Sequence, residues 1–500
     1  KVSEVRRGLL IVCALALLAG CKTRTVIRER VVMVHDTVRV AVAAPGKAYS
    51  ADWTGLTQSA LDSLCATALL GETQVSMCVF DLTAGTVVFE RGLRQRMRPA
   101  STMKVITAVT AMTAVMGHPD CFALRCWVDM NDVERTGKTL TAKPSKIPNL
   151  ILVGGMDPLL AYADLCALAD TLTGQGIREV KDIHLDVSLA DTTRWGEGWC
   201  WDDANEAMTP FSYNGSGAAR GGRGSSRLAW RQQPEVPFVA DLRKAFASRK
   251  IRVTGAIRRN LERTAPRTII DAEAAIAAAP AGRSAAASGS VGSNPAGSSA
   301  ADSRFAAVPA VGEVRDGMRL VARIGHRWED VLMPMMKNSD NLYAEAMLHQ
   351  LGLLVPGARP SLATIDDAFE ALCSRLGLAA YNYRIADGSG RSLYNYATPE
   401  LLCRLLNHAA TQPWFALFRS SLPVMGVDGT LRKRCKGTTA EGNVQAKTGS
   451  LYAVSSLAGY ATSAEGHILC FAIINQGLRE GAMGRAFQDE VCKILTRATD

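Results

Sequence analysis

Apolar positions in "QVSMCVFDLTAGTVVFERG", from Gln74 to Gly92, form two runs on either side of Thr83-Ala84-Gly85, which predicts two strands joined as a hairpin. The next pattern changes period. In "TMKVITAVTAMTAVMG" the apolar residues recur at helical spacing and stop at Gly117, so a helix follows Ser101. Near the other end, "SDNLYAEAMLHQLG" reads as a loop entering a helix, with Leu342, Ala346 and Leu348 as its apolar face. "NVQAKTGSLYAVSSLAGYATSAEGHILCFAIIN" then reads as three strands separated by turns.

Between about 125 and 310 the texture differs. "NLILVGGMDPLL", "IREVKDIHLDVSLA" and "RWGEGWCWDD" alternate short strands, loops and helices, which fits an inserted module. Residues 272–304 are rich in alanine, glycine and serine and too poor in bulky side chains to build a core, so they read as a flexible insertion. No repeat of 20 to 50 residues is found. The expected organisation is a catalytic module formed by 51–125 and 311–500, interrupted by inserted domain(s) over 126–310.

The first residues change the picture of where the chain works. Lys1, Arg6 and Arg7 precede the 13-residue apolar run "GLLIVCALALLAG", too short to span a bilayer comfortably. The run ends in Leu18-Ala19-Gly20-Cys21, which resembles a bacterial lipobox: residues 1–21 are expected to be a lipoprotein signal peptide, with Cys21 carrying the lipid. Polar residues 22–50 would tether the body of an exported protein in the cell envelope, at the periplasmic side of a membrane. Thirteen cysteines would then meet an oxidising compartment. Removal of Cys13 and lipidation of Cys21 leave eleven, an odd number that rules out complete intramolecular pairing. Their scattered positions read mostly as small buried hydrophobes, with Cys121 and Cys126 the closest pair. The formal charge of +10 is spread along the chain without a basic block carrying interleaved aromatics, which argues against nucleic acid. No HExxH or CxxC string occurs and the seven histidines are dispersed, so neither a metal nor another cofactor is expected.

Three short strings carry candidate chemistry: Ser101-Thr102-Met103-Lys104, Ser339-Asp340-Asn341 and Lys447-Thr448-Gly449. The first opens a helix, the second sits on a loop entering one, and the third lies in a strand. A serine hydroxyl is a poor nucleophile until a base takes its proton. Residues i and i+3 share a helix face, so Lys104 can aim its amine at Ser101. An ammonium is no base, so Lys104 must be partly neutral; burial and the neighbouring cation Lys447 would both lower its pKa. A second S-x-N, Ser212-Tyr213-Asn214, reads as a loop of the inserted region. "DGSGRS" from Asp387 reads as a tight turn, with the cleft rim as the alternative, and "VDGTLRKR" as a solvated loop whose Arg432 or Arg434 could draw in an acidic peptide. Trp195, Trp199 and Trp201 read as core or domain-packing residues. The absence of G-x-S-x-G removes the ordinary α/β-hydrolase reading.

Together the three strings form the signature of serine β-lactamases and penicillin-binding proteins. With "GGMDPLL", "WGEGWCWDD", "MMKNSDNLYAEAM", "DGSGRSLYNYATP" and "GVDGTLRKR", the chain from about Ala51 onward resembles the class C low-molecular-mass penicillin-binding proteins, the D-alanyl-D-alanine carboxypeptidase/endopeptidase family. The resemblance implies an α/β (α+β) fold, an antiparallel sheet flanked by helices, with smaller domains inserted between the first two motifs; the 238 residues from Ser101 to Ser339 agree with this. It implies an acyl-enzyme on Ser101 formed with peptidoglycan stem peptides ending in D-Ala-D-Ala, and covalent inhibition by β-lactams. Ser339 would relay a proton to the leaving amine, because a hydroxyl both donates and accepts, and Asn341 would hold the Ser101–Lys104 pair or the substrate. Lys447 and Thr448 would face the terminal carboxylate. Gly449 would permit close approach of the substrate backbone. The backbone N–H groups of Ser101 and Ser450 would form the oxyanion hole. Asp186 stands about where the family places an aspartate facing the stem, with a plain strand-end carboxylate as the alternative and Asp191 nearby. No E-x-x-L-N string that would position a deacylating glutamate occurs, so slow β-lactam hydrolysis is expected. Two other classes stay open: a peptidoglycan-binding lipoprotein without turnover, and a serine β-lactamase.

Overall fold

The computed structural model describes residues 51–67, 73–131, 146–190, 196–199, 208–213, 235–260, 265, 310–354, 362–378 and 382–498, all within a unit that begins at Ala48. Cys21, the tether, Asp191, Trp195, Trp201 and the 272–304 segment lie outside the described residues. Among the described residues no helix is long and apolar enough to cross a membrane.

The expected hairpin forms: β1 (Gln74–Asp81) and β2 (Thr86–Arg91) pair antiparallel around Gly85, whose φ of +72° suits a residue without Cβ. The three C-terminal strands are β10 (Val444–Leu451), β11 (Val454–Thr462) and β12 (Ile468–Gln476). β12 pairs with β1 from Gln74↔Gln476 to Asp81↔Leu469, so the two ends of the described chain close one antiparallel sheet in the order β10-β11-β12-β1-β2.

Period-two alternation gives this sheet two apolar faces. Leu469, Phe471 and Ile473 of β12 join Val75 and Met77 against α1 (Ala51–Cys65) and α10 (Gly481–Thr496), through Trp53, Leu61, Phe487 and Val491. Cys470, Ala472 and Ile474 face the opposite side, in a core shared with α2 (Met103–Val115) and α8 (Pro399–Ala410). All 13 residues of α2 are buried, Lys104 included. A helix buried all round needs tertiary packing on every side, and here α5 (Trp328–Lys337) and α6 (Asn341–His349) supply part of it.

A second sheet lies between the first and second motifs in sequence. Its order is β6-β5-β4-β3-β9-β8, with β7 also paired to β5. It comprises β3 (Ala123–Asp129), β4 (Lys146–Val153), β5 (Glu179–Asp186), β6 (Arg252–Val253), β7 (Ile257–Asn260), β8 (Val314–Arg315) and β9 (Met318–Gly325). β4 and β5 run parallel, and α3 (Tyr162–Gly174) and α4 (Val236–Ser248) bury Leu165, Leu168, Phe238 and Leu242 against them. The sheet takes in residues on both sides of the 126–310 limits, because β3 starts at Ala123 and β9 ends at Gly325. The ten cysteines of the described residues are all free and mostly buried, Cys121 and Cys126 among them.

A buried ion triad fastens this sheet. Asp120, at 3% exposure, accepts from Arg125 Nη1 at 2.9 Å and from Arg323 Nε at 3.0 Å, joining β3 to β9. Burial alone would raise the Asp120 pKa, but the two guanidinium groups outweigh it and hold the carboxyl below its usual range. Asp120→Asn leaves Arg125 buried without a counter-charge. It is expected to lower the unfolding free energy by about 3–5 kcal/mol, read as a lower urea midpoint at pH 7. An unchanged midpoint would show that the triad contributes nothing.

Candidate active site

The nucleophile candidate sits on a tight 3-10 turn, Ala100–Thr102, that feeds directly into α2. Ala100 has φ +47°, a left-handed conformation that costs an L-residue of the order of 1–3 kcal/mol. The turn is held in that shape: Thr102 Oγ1 and Ser456 Oγ both donate to the Pro99 carbonyl, at 2.6 Å each.

One turn on, Lys104 is fully buried and its Nζ lies 3.1 Å from Ser101 Oγ. It also donates to Asn341 Oδ1 and to the Ser389 carbonyl oxygen, both at 2.8 Å. Asn341 opens α6, where Asp340 Oδ1 caps the helix by accepting from Leu342 N at 3.0 Å and Tyr343 N at 3.4 Å. Asp340 therefore serves the backbone, while the residues on either side of it face lysines. Ser339, with φ +61°, turns its hydroxyl to Lys447, whose Nζ donates to Ser339 Oγ at 2.9 Å and to the Thr448 carbonyl at 2.8 Å. Ser101, Lys104, Ser339, Asn341 and Lys447 are thus linked through two amines.

β10 is the edge strand, with half-buried Thr448 and exposed Ser450. It passes the nucleophile turn so closely that a Cβ on Gly449 would meet Pro99 O at 2.8 Å and Ser101 N at 2.9 Å, and would collide with Ser456 Oγ. Glycine is required there by space, a reason nearer to hand than the substrate approach expected from sequence. Thr448 Oγ1 lies 2.8 Å from Thr430 Oγ1, a residue of the segment expected to be a solvated loop.

The two lysines differ electrostatically from ordinary surface amines. Burial lowers the Lys104 pKa to about 8, against the opposing negative charges of Asp387, Glu345 and Asp340. At pH 7 roughly a tenth of it is then neutral, enough to act as a base. Burial, and next the repulsion of Lys104, holds the Lys447 amine well below the usual lysine range. The expected effect of Lys447 on Lys104 is therefore reversed in emphasis: burial lowers Lys104, and the mutual repulsion shows on Lys447.

Other expectations fall elsewhere. Asp186 ends β5 fully buried, its Oδ1 accepting from Ser188 N at 2.9 Å, a placement at the strand end that both readings of this residue share. Ser212 of the second S-x-N donates to the Thr209 carbonyl at 3.0 Å. Arg434 pairs with Asp489 at 2.7 Å and braces α10, whereas Arg432 is exposed. Trp199 donates its indole N–H to Asp387 Oδ2 at 2.7 Å, so it packs on the turn that supports Lys104. Among the described residues no group of three or more His, Cys, Asp or Glu could hold a metal.

This geometry has known counterparts. A model of the D-Ala-D-Ala carboxypeptidase 3 (S13) family matches residues 57–218 and 306–498. The chain belongs to that family. Its relatives include a D-alanyl-D-alanine carboxypeptidase of Actinomadura sp. (strain R39), 28% identical over 458 residues, 83% of this chain and 79% of the relative. D-alanyl-D-alanine carboxypeptidase DacB of Haemophilus influenzae is 30% identical over 169 residues, 33% of this chain and 35% of the relative. The fold is that of penicillin binding protein 4 (dacB) from H. influenzae, with a TM-score of 0.63 at 19% identity over 87% of this chain and 97% of that one. A complex of the latter protein with a β-lactam shares the fold at a TM-score of 0.60. The class C resemblance and the α/β fold are borne out, and the enzymatic class of this S13 carboxypeptidase is D-Ala-D-Ala carboxypeptidase.

Gly449→Ala in this S13 carboxypeptidase is expected to push β10 away from Ser101 N and to lower the acylation rate by about 10²-fold or more, with the protein still folded by circular dichroism. An unchanged rate would mean that the strand and the turn have slack to part.

Proposed function

We propose that Ser101 is the acylated nucleophile of a serine D-Ala-D-Ala carboxypeptidase, with Lys104 as its general base. The observation that carries this reading is the placement of the Lys104 amine between Ser101 Oγ and two oxygens that only accept, Asn341 Oδ1 and Ser389 O. A neutral amine has two N–H bonds and one lone pair. The two acceptors take the N–H bonds, and the lone pair is left to the one partner with a proton to give, the Ser101 hydroxyl. The oxygen then attacks the carbonyl of the penultimate D-alanine as the proton moves to Nζ.

The charge that develops on the carbonyl oxygen would be met by the N–H groups of Ser101 and Ser450. Ser339, bonded to Lys447, returns a proton to the leaving amine, and terminal D-alanine departs. Thr448 Oγ1 and the N–H groups of Lys447 Nζ receive the terminal carboxylate as hydrogen-bond donors, while the edge strand β10 pairs with the extended peptide. Water then resolves the ester. The same steps accept a cross-linked amine as leaving group, which gives DD-endopeptidase action, and a β-lactam ring in place of the peptide bond, which gives covalent inhibition.

The five-stranded sheet with its helices is, in this reading, the catalytic module, and the second sheet is the insertion. The lysine- and arginine-flanked apolar run ending at Cys21 supports export and a lipid anchor in the cell envelope.

A fluorescent penicillin is expected to label the native protein stoichiometrically and Ser101→Ala not at all, with release of D-alanine from a monomeric pentapeptide falling by about 10⁴-fold or more. A cross-linked muropeptide dimer supplied alongside reports the endopeptidase arm. Labelled full-length protein expressed in a bacterium is expected in the membrane fraction, and Cys21→Ser in the soluble one. A native protein that folds but takes no label would overturn the acyl-enzyme reading and leave a wall-binding protein.

A further inference from the structure

The Ser389 carbonyl that fixes one N–H of Lys104 belongs to the turn Asp387–Gly390, wedged between α6 and the nucleophile turn. A Cβ on Gly388 would sit 2.7 Å from the Ala344 carbonyl of α6. Gly390, at φ +81°, leaves no space for one against the Ala100 carbonyl. Asp387 closes the turn from one side, accepting from Gly390 N, Ser392 N, Asn395 Nδ2 and Trp199 Nε1, each at 2.7 Å. On the α2 side, Thr107 Oγ1 donates to the Gly388 carbonyl at 2.7 Å.

The α6 side is held by a single carboxylate. Glu345 Oε2 accepts from Gly388 N and Oε1 from Ser389 N, each at 2.9 Å, and the residue is only 2% exposed. Glu345 stands four residues after Asn341, so both lie on one face of α6. That one face therefore supplies both fixed acceptors of Lys104: Asn341 directly, and Ser389 O by way of Glu345.

We propose that Glu345 is a positioning residue of the acyl-transfer reaction: its buried carboxylate grips the Gly388 and Ser389 N–H groups, sets the Ser389 carbonyl against Lys104 Nζ, and so turns the amine's lone pair toward Ser101. This inference rests on the reading of Lys104 as the base of Ser101, and goes beyond it. A carboxylate suits the task because each of its oxygens accepts while neither donates. Glutamine would accept at one N–H and present its own N–H to the other.

The same carboxylate also acts on the base through charge. Lys104 is faced by Glu345 and Asp340 from α6, by Asp387 and Arg391 from the turn and the chain after it, and by Lys447 from β10. Glu345 is in turn faced by Asp387 and Lys104; burial and then Asp387 raise its pKa to about 8, against the two N–H donors. From about pH 8 upward, where Glu345 is ionised, its charge favours the ammonium form of Lys104. Acylation needs the amine, so its rate rises with pH as Lys104 loses its proton near pH 8. Removing the Glu345 charge lowers the Lys104 pKa and moves that acid limb to lower pH.

The test measures the acylation rate constant for a fluorescent penicillin from pH 5 to 10 in native protein, Glu345→Gln and Glu345→Asp, per folded molecule as counted by stoichiometric label. For Glu345→Gln the expected result is an acid limb at lower pH and a high-pH plateau about 10- to 100-fold below native, because the amine is then neutral and misdirected. Glu345→Asp keeps the charge but lacks the reach, so its plateau falls while its limb stays near the native one. A native plateau in either variant, or an unmoved limb in Glu345→Gln, would overturn the proposal; if Glu345→Gln is not recovered folded, the Glu345→Asp plateau decides alone. Both variants retain Ser101, Lys104 and Lys447 and must still take label at completion. Failure of the native protein to take label would instead strike the acyl-enzyme reading itself.

Discussion

A buried primary amine ringed by three oxygens is a base only if two of those oxygens occupy its hydrogens and the third has a proton to give. That constraint organises the first half of the site. Lys104 Nζ has an amide oxygen, a backbone carbonyl and a hydroxyl within 3.1 Å, and only the hydroxyl, that of Ser101, is a donor. Each acceptor depends in turn on a larger element. Asn341 is fixed because Asp340 caps α6, and the Ser389 carbonyl because its turn is pressed between α6, α2 and the Ala100 turn.

The surroundings resolve a conflict between burial and charge. Taking a lysine out of water disfavours its charged form, which is useful for a base and costly for a fold. Around Lys104 the cost is moderated by nearby carboxylates, which hold the amine's pKa at about 8 against the effect of burial. Lys447 lacks such neighbours among the groups that shift it, and burial with the repulsion of Lys104 holds it below the usual lysine range. Backbone strain accompanies the arrangement, since Ala100 and Ser339 both hold left-handed φ angles next to reacting groups. Rigid packing sustains it: α2 is buried along its whole length, and the Pro99 carbonyl is fixed by hydroxyls from its own turn and from β11.

Much of this was legible in the sequence, for physical reasons. The hairpin at Gly85, the helix ending before Gly117 and the three closing strands follow from local periodicity and turn residues, and each formed where expected. Ser101 and Lys104 were readable because their string occurs together with Ser339-Asp340-Asn341 and Lys447-Thr448-Gly449, each on the kind of element its chemistry needs. Glu345 was not readable: an apolar stripe at Leu342, Ala346 and Leu348 implied a one-sided helix, whereas α6 is buried from Ala344 to His349 and has a polar partner on its second side. The Ser389 carbonyl left no trace, because a backbone acceptor has no side-chain signature, and "DGSGRS" already had a sufficient reading as a turn. Asp186 kept two readings because a strand-end carboxylate looks alike in sequence whether it faces a ligand or closes its own turn. The pairing of β3 with β9 could not be read, because these antiparallel neighbours lie some 200 residues apart, beyond what local pattern reports.

Neutron diffraction from perdeuterated crystals near pH 9 reads the hydrogen positions on Lys104 Nζ. Two deuterons are expected on Lys104 Nζ, directed at Asn341 Oδ1 and Ser389 O, with the Ser101 deuteron directed at the vacant side of Nζ. Three deuterons on Nζ at a pH where acylation has reached its plateau would contradict the reading of Lys104 as the base.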